Sequence, residues 1–152
     1  MESLEQSLGE HPLARELTSD QVRALADCAR WIVLTPGTVI LREHGDADSL
    51  FLITNGRVVL EYAIPGRGPT QVEELRAGDI LGFSWLQGGG RWTLDARATE
   101  RSEVVALDAT QLRRLMDDDP RLGVAVSRHM LVQLYQRLVR VRLQRLDLYR
   151  EQ

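Results

Sequence analysis

The chain has 152 residues, 43% hydrophobic and 27% charged, a composition that suits one globular domain with a sizeable core. No run of about 18 apolar residues occurs, and residues 1–10 carry acids rather than a basic stretch followed by an apolar one, so neither a membrane span nor a signal peptide is expected. All 19 basic residues are arginines; residues 1–120 hold 12 of them against 20 acids and residues 121–152 hold seven against Asp147 and Glu151, so a basic tail follows an acidic body within a net charge of −3.

Along the chain, Leu13, Leu17, Val22, Leu25, Ala26 and Ala29 predict two short helices within 12–30, the second capped at Thr18-Ser19-Asp20. Cys28 falls on that helix as a small apolar residue. A single cysteine excludes an intramolecular disulfide and any multi-cysteine metal site, and the simplest compartment is the cytoplasm. Seven short β-type runs follow, at 31–34, 39–42, 50–54, 57–63, 71–75, 93–99 and 103–107, separated by Gly, Pro, Asp and Asn. Such spacing predicts an antiparallel barrel or sandwich. Asn55-Gly56 between two of the runs predicts a tight type I′ hairpin, because both central positions of that turn need positive φ.

Asp108 is placed to cap a short helix over 109–116, which the run Asp117-Asp118-Asp119-Pro120 ends. The period then becomes helical. Val124, Ser127, Leu131, Leu134, Leu138, Val141, Arg145 and Leu148 form one seam, and Val132, Tyr135, Val139, Leu146 and Tyr149 form a second stripe beside it. One stripe is expected to pack on the body and the other on a second copy, with Leu131, Leu134, Leu138, Val141 and Leu148 as dimerisation residues. The alternative is a single broad apolar face buried against the chain's own barrel. Arginines spread round this helix read as a solvated face rather than a nucleic-acid surface.

No constellation for catalysis is present. His11, His44 and His129 lie in three separate segments with no HxH or HxxxH pair, and no G-x-S-x-G elbow occurs. A small barrel enzyme of the cupin kind would need converging imidazoles that this chain does not supply, and no metal is expected. The informative stretch is Gly78-Asp79-Ile80-Leu81-Gly82-Phe83-Ser84-Trp85-Leu86-Gln87-Gly88-Gly89-Gly90-Arg91-Trp92-Thr93-Leu94-Asp95-Ala96-Arg97-Ala98. Its glycines, short apolar turn and returning strand suit a loop that cradles a ligand, with backbone amides and an arginine available to an anion.

Leu34-Thr35-Pro36-Gly37, Gly45, Leu50-Phe51-Leu52-Ile53-Thr54-Asn55-Gly56-Arg57-Val58, Ala77-Gly78-Asp79-Ile80-Leu81-Gly82 and Ala96-Arg97-Ala98, in this order, resemble the cyclic nucleotide-binding domain family, in particular the effector domains of catabolite activator protein-like bacterial regulators. The resemblance implies a mainly β fold: an eight-stranded antiparallel β-roll, or double-stranded jelly roll, with flanking helices and a long C-terminal dimerisation helix. It also implies a phosphate-binding cassette whose candidate residues are Gly82, Phe83, Ser84, Trp85, Leu86, Arg91, Trp92 and Thr93, with cyclic AMP or cyclic GMP as possible ligands. Phe83 stands where the family's ribose-binding glutamate is found, and Trp92 where its phosphate-binding arginine is found. Arg91 could take over that role if the three glycines let the loop shift by one residue. Arg97 ranks lower, as a structural residue of the returning strand.

The family's DNA-binding winged helix is not expected, so the resemblance implies a non-enzymatic sensor acting through a homodimer and a partner protein. The alternative is a ligand-free interaction module whose pocket is plugged by its own aromatics.

Overall fold

Capping side chains set the helix ends. The computed structural model describes residues 2–150, apart from the side chains of Leu148 and Tyr149. Helix α1 (Leu4–Glu10) starts at Ser3 and α2 (Ser19–Asp27) at Thr18; each start is a capping box, closed by Gln6 and Gln21 respectively. The helical N-terminus therefore begins before residue 12, and the first turn of the expected 12–30 region is a 3₁₀ turn, Pro12–Ala14.

Eight strands follow: β1 (Ala29–Leu34), β2 (Val39–Leu41), β3 (Ser49–Asn55), β4 (Arg57–Ile64), β5 (Gly68–Arg76), β6 (Ile80–Leu81), β7 (Asp95–Ala98) and β8 (Ser102–Asp108). They form two four-stranded antiparallel sheets ordered β1-β8-β3-β6 and β2-β7-β4-β5, which is the roll expected from the sequence. Strand β6 is too short to show a period of its own.

Asn55-Gly56 does not make a hairpin. Strands β3 and β4 belong to different sheets, and only Gly56 has positive φ, at 92°. The dipeptide is a corner at which the chain leaves one sheet for the other. A Cβ on Gly56 would lie 2.2 Å from the Ser102 hydroxyl oxygen, so the corner closes against β8 and excludes any side chain there. The hairpin of the second sheet is instead β4–β5, with Val58 opposite Leu75 and Leu60 opposite Glu73. Strand alternation puts Val58, Leu60, Ala96 and Ala98 on the inner face, all buried. Glu73 shares that face.

After β8, Asp108 accepts from the Gln111 amide and starts α3 (Ala109–Asp118); α4 (Pro120–Arg150) then runs for 31 residues. Its buried face is Leu122, Val126, Met130, Gln133 and Arg137. Neither apolar stripe read from the sequence is the one that packs on the body. Leu131, Leu134, Leu138 and Val141 are 44–67% exposed, as are Val132 and Tyr135, so a broad face buried against the roll is also not what forms. Leu148 lies in the helix, with its side chain outside the described residues. No helix among the described residues is long and apolar enough to cross a membrane.

His11 joins the N-terminal turn to the roll. Its Nδ1 accepts from the Leu13 amide at 3.1 Å and its Nε2 faces the Asp79 carbonyl oxygen at 3.4 Å. Burial holds the imidazole down at about 4, against an ordinary 6.5. The unfolded chain therefore binds a proton between pH 6.5 and 4 that the folded chain does not. The stabilisation is complete above 6.5 and is lost as pH falls towards 4, a change of about 3 kcal/mol from this group. Urea denaturation at pH 7 and pH 4.5, compared between wild type and His11→Gln, will show a smaller pH dependence in the variant.

Candidate functional site

The segment between β6 and β7 is built on two short chains that pair outside the named strands. The His44 amide donates to the Trp92 carbonyl at 2.8 Å, the Trp92 amide to Gly45 at 2.9 Å and the Ala47 amide to Gly90 at 3.0 Å. Within this ladder Arg91 stands opposite Asp46. Successive residues of extended chain point to opposite faces, so the ladder decides where both Arg91 and Trp92 go. Arg91 turns outward and pairs with Asp46 at 2.6 Å, with both side chains mostly exposed. Trp92 turns inward and is 6% exposed.

The indole of Trp92 lies across Gly82. A Cβ at Gly82, whose φ is +92°, would meet two ring atoms of Trp92 at 2.9 Å. Glycine is needed there both for its backbone angle and for the close approach. Phe51 flanks the same indole, with ring centroids 6.2 Å apart. A cavity of about 130 Å³ remains beside it, lined by Leu41, Leu60, Leu81, Leu94 and the cassette residues Gly82, Phe83, Ser84, Trp92 and Thr93, with Arg137 at its edge. Ligand sites are usually about 300–1,000 Å³.

Three residues of the expected set are placed elsewhere. Trp85 is 1% exposed and packs in the core, where Arg113 lies over its ring at 5.8 Å and donates to its carbonyl at 3.3 Å. Leu86 is 52% exposed on the surface. Arg91 is held by Asp46 as described, so the three glycines do not bring it inward. The amides of Leu86 and Gln87 donate within the 3₁₀ turn Ser84–Leu86, to Phe83 and Ser84, which removes them as anion donors. Arg97 lies on the outer face of its sheet and makes a two-point contact with Glu61, at 2.8 and 3.3 Å.

The charged groups at the pocket come from parts of the sequence not read as functional. Arg137 of α4 is 8% exposed; its Nε and Nη2 donate to the two carboxylate oxygens of Glu73 at 2.7 and 3.0 Å, and its Nη1 to the Ile80 carbonyl at 2.7 Å. The guanidinium also stands over the Phe83 ring, 5.1 Å from its centroid. One turn earlier, Gln133 accepts from the Ile80 amide at 3.0 Å and donates to the Gly78 carbonyl at 2.7 Å. Five hydrogen bonds at two positions four residues apart thus fasten α4 to β5, β6 and the turn before it. A signal existed: Leu122, Val126, Met130, Gln133 and Arg137 keep helical spacing, with polar residues at the last two places.

The pocket therefore offers an apolar wall, an indole across its floor and one guanidinium already paired with a carboxylate. It presents no unpaired charge among the described residues that line it.

A family model described as the cyclic nucleotide-binding domain matches residues 31–119, from β1 through α3. No curated protein matches the sequence. Among solved structures, the chain is similar to a protein from Geobacter metallireducens GS-15 assigned as cyclic nucleotide-binding, with 28% identity, a TM-score of 0.78, and 91% of this chain and 99% of that one covered. It is similar in fold to a cyclic nucleotide-binding domain from Methylobacillus flagellatus KT, at 22% identity and a TM-score of 0.80, over 95% and 81% of the two chains. The same holds for the sensor domain of the transcriptional regulator DNR from Pseudomonas aeruginosa, at 18% identity and a TM-score of 0.71, over 88% and 90%.

Proposed function

This chain belongs to the cyclic nucleotide-binding domain family, and from that premise we propose that it is a non-enzymatic regulatory module of the cytoplasm whose cassette is closed by its own side chains. The observation that carries this reading is the Trp92 indole packed across Gly82. Trp92 occupies the position at which the family resemblance expects the phosphate-binding arginine, and Phe83 the position of the ribose-binding glutamate. A charge-assisted hydrogen bond is worth roughly 1.5–3 kcal/mol. Losing both lowers the affinity for a cyclic nucleotide by about two to four decades. The indole also takes up part of the space, leaving about 130 Å³ beside it.

The output of such a module runs through α4. The seam of Leu131, Leu134, Leu138 and Val141 has no cover within the protomer, and a second copy of the same helix would bury it in an isologous contact. A homodimer acting on a partner protein is the form this reading takes. Arg137, on the inner face of the same helix, links that seam to the cassette through Phe83.

Calorimetric titration with cyclic AMP and cyclic GMP tests the reading, with sedimentation of the same sample reporting the dimer. No heat of binding is expected up to about 1 mM ligand, for wild type and for Arg91→Ala alike. Micromolar binding that Arg91→Ala abolishes would overturn the closed cassette and restore a nucleotide sensor with a shifted arginine.

A further inference from the structure

We infer that the open edge of strand β1 is an interface between two copies of the chain, joined as an antiparallel strand pair. The outer strands are β1 and β6 in one sheet, β2 and β5 in the other. An outer strand presents unpaired N–H and C=O groups, and folded chains blunt such edges with charge, proline, shortness, irregular pairing or cover. Three of the four edges are blunted in these ways. Strand β2 has three residues and an irregular register against β7. Strand β5 carries Pro69, Glu73, Glu74 and Arg76 and a register break against β4. Strand β6 has two residues, and the amide and carbonyl of Ile80 are taken by Gln133 and Arg137 of α4.

Strand β1, Ala29-Arg30-Trp31-Ile32-Val33-Leu34, has none of these devices except the charge of Arg30. Its register gives the direction of its bonds. The Asp108 amide donates to the Cys28 carbonyl at 3.1 Å, and β1 keeps that register along β8, from Ala29 opposite Leu107 to Leu34 opposite Ser102. Bonds across an antiparallel pair fall at every second residue. Arg30, Ile32 and Leu34 therefore bond to β8, and the backbone groups of Ala29, Trp31 and Val33 point to the open edge, where they have no backbone partner among the described residues. Val33 is 52% exposed.

The order of residues in the strand selects a second copy as the occupant. Two β1 strands related by a two-fold axis at Trp31 place Trp31 opposite Trp31, Ala29 opposite Val33 and Arg30 opposite Ile32. All three outward residues then exchange bonds, about six hydrogen bonds in total, and the single charge meets an aliphatic side chain. An axis at Arg30 would set two guanidinium groups directly opposite, which is destabilising; an axis at Ile32 would put Ala29 opposite Thr35, outside the strand. The contact is isologous and merges the two β1-β8-β3-β6 sheets into one. Helix α4 is fastened to β6, at the far edge of that sheet, so pairing through β1 neither competes with a contact through the α4 seam nor rests on it.

Leu134→Glu/Leu138→Glu, at two exposed positions of α4, removes the seam and isolates the β1 contact. Sedimentation of this double variant at about 0.1–1 mM is expected to show a dimer, and adding Val33→Pro should return a monomer. The Val33 N–H points away from β8, so proline there removes no bond of the roll and is tolerated as on other edge strands. Hydrogen exchange of the double variant reads the same contact without the proline. Between about 10 μM and 1 mM, the amides of Ala29, Trp31 and Val33 should slow by about tenfold while those of Arg30, Ile32 and Leu34 stay unchanged. A double variant that is monomeric throughout this range would overturn the proposal. So would a dimer that Val33→Pro leaves intact, or one in which the three outward amides exchange as fast as in dilute solution.

Discussion

Replacing Trp92 with alanine will cost about 3–5 kcal/mol of stability, the range for emptying a buried aromatic position. For a chain of this size that lowers the midpoint of thermal unfolding by roughly 10 °C. The loss is large because the indole is 6% exposed, packs against Phe51 and covers Gly82, so its removal joins the residual cavity to a new one. An apolar cavity made in this way accepts apolar guests. Indole at millimolar concentration should therefore restore part of the lost midpoint in Trp92→Ala and leave wild type unmoved. A variant that loses less than about 1 kcal/mol would show that the ring is not a structural plug, and the closed cassette would fall with it.

Glu73→Ala will be as damaging, for an electrostatic reason. It leaves Arg137 inside with one carbonyl partner, and an uncompensated buried charge costs about 3–5 kcal/mol. The double variant Glu73→Leu/Arg137→Leu should recover most of that loss, since apolar replacement of both members of a buried pair is often neutral. Urea denaturation of the two single variants and the double gives the coupling directly. Hydrogen exchange supplies a local readout: the Ile80 amide, bonded to Gln133 in the wild type, should exchange faster in Glu73→Ala as α4 loosens. Small and additive losses would mean that the pair is effectively solvated and that α4 is held by its apolar contacts alone.

Both expectations place the working parts of the molecule at contacts between distant segments. Glu73 and Arg137 are 64 residues apart, and Gln133 reaches back 55 residues to Gly78. The seam that hydropathy makes conspicuous on α4 is the one the protomer leaves open. The face it uses contains a glutamine and an arginine, whose polar atoms are satisfied by backbone groups and a carboxylate from the roll. Burial of polar groups on these terms leaves no trace in an apolar period.

What the sequence by itself determined is local or cumulative. Helix starts at Thr18 and Asp108 were legible because a capping side chain acts within three residues. Seven of the eight strands were legible because Gly, Pro and Asp punctuate them, and the ordered glycine motifs pointed to the roll and to the segment from Gly82 to Thr93. Tertiary structure alone decided that Asn55-Gly56 turns a corner between sheets, because a tight turn does not choose the partner of the strand it feeds. It alone sent Arg91 outward and Trp92 inward, because the pairing with Asp46 is set by a segment 45 residues away. Propensity and capping are properties of neighbouring residues, whereas register and the pairing of buried charges are settled only when remote segments meet.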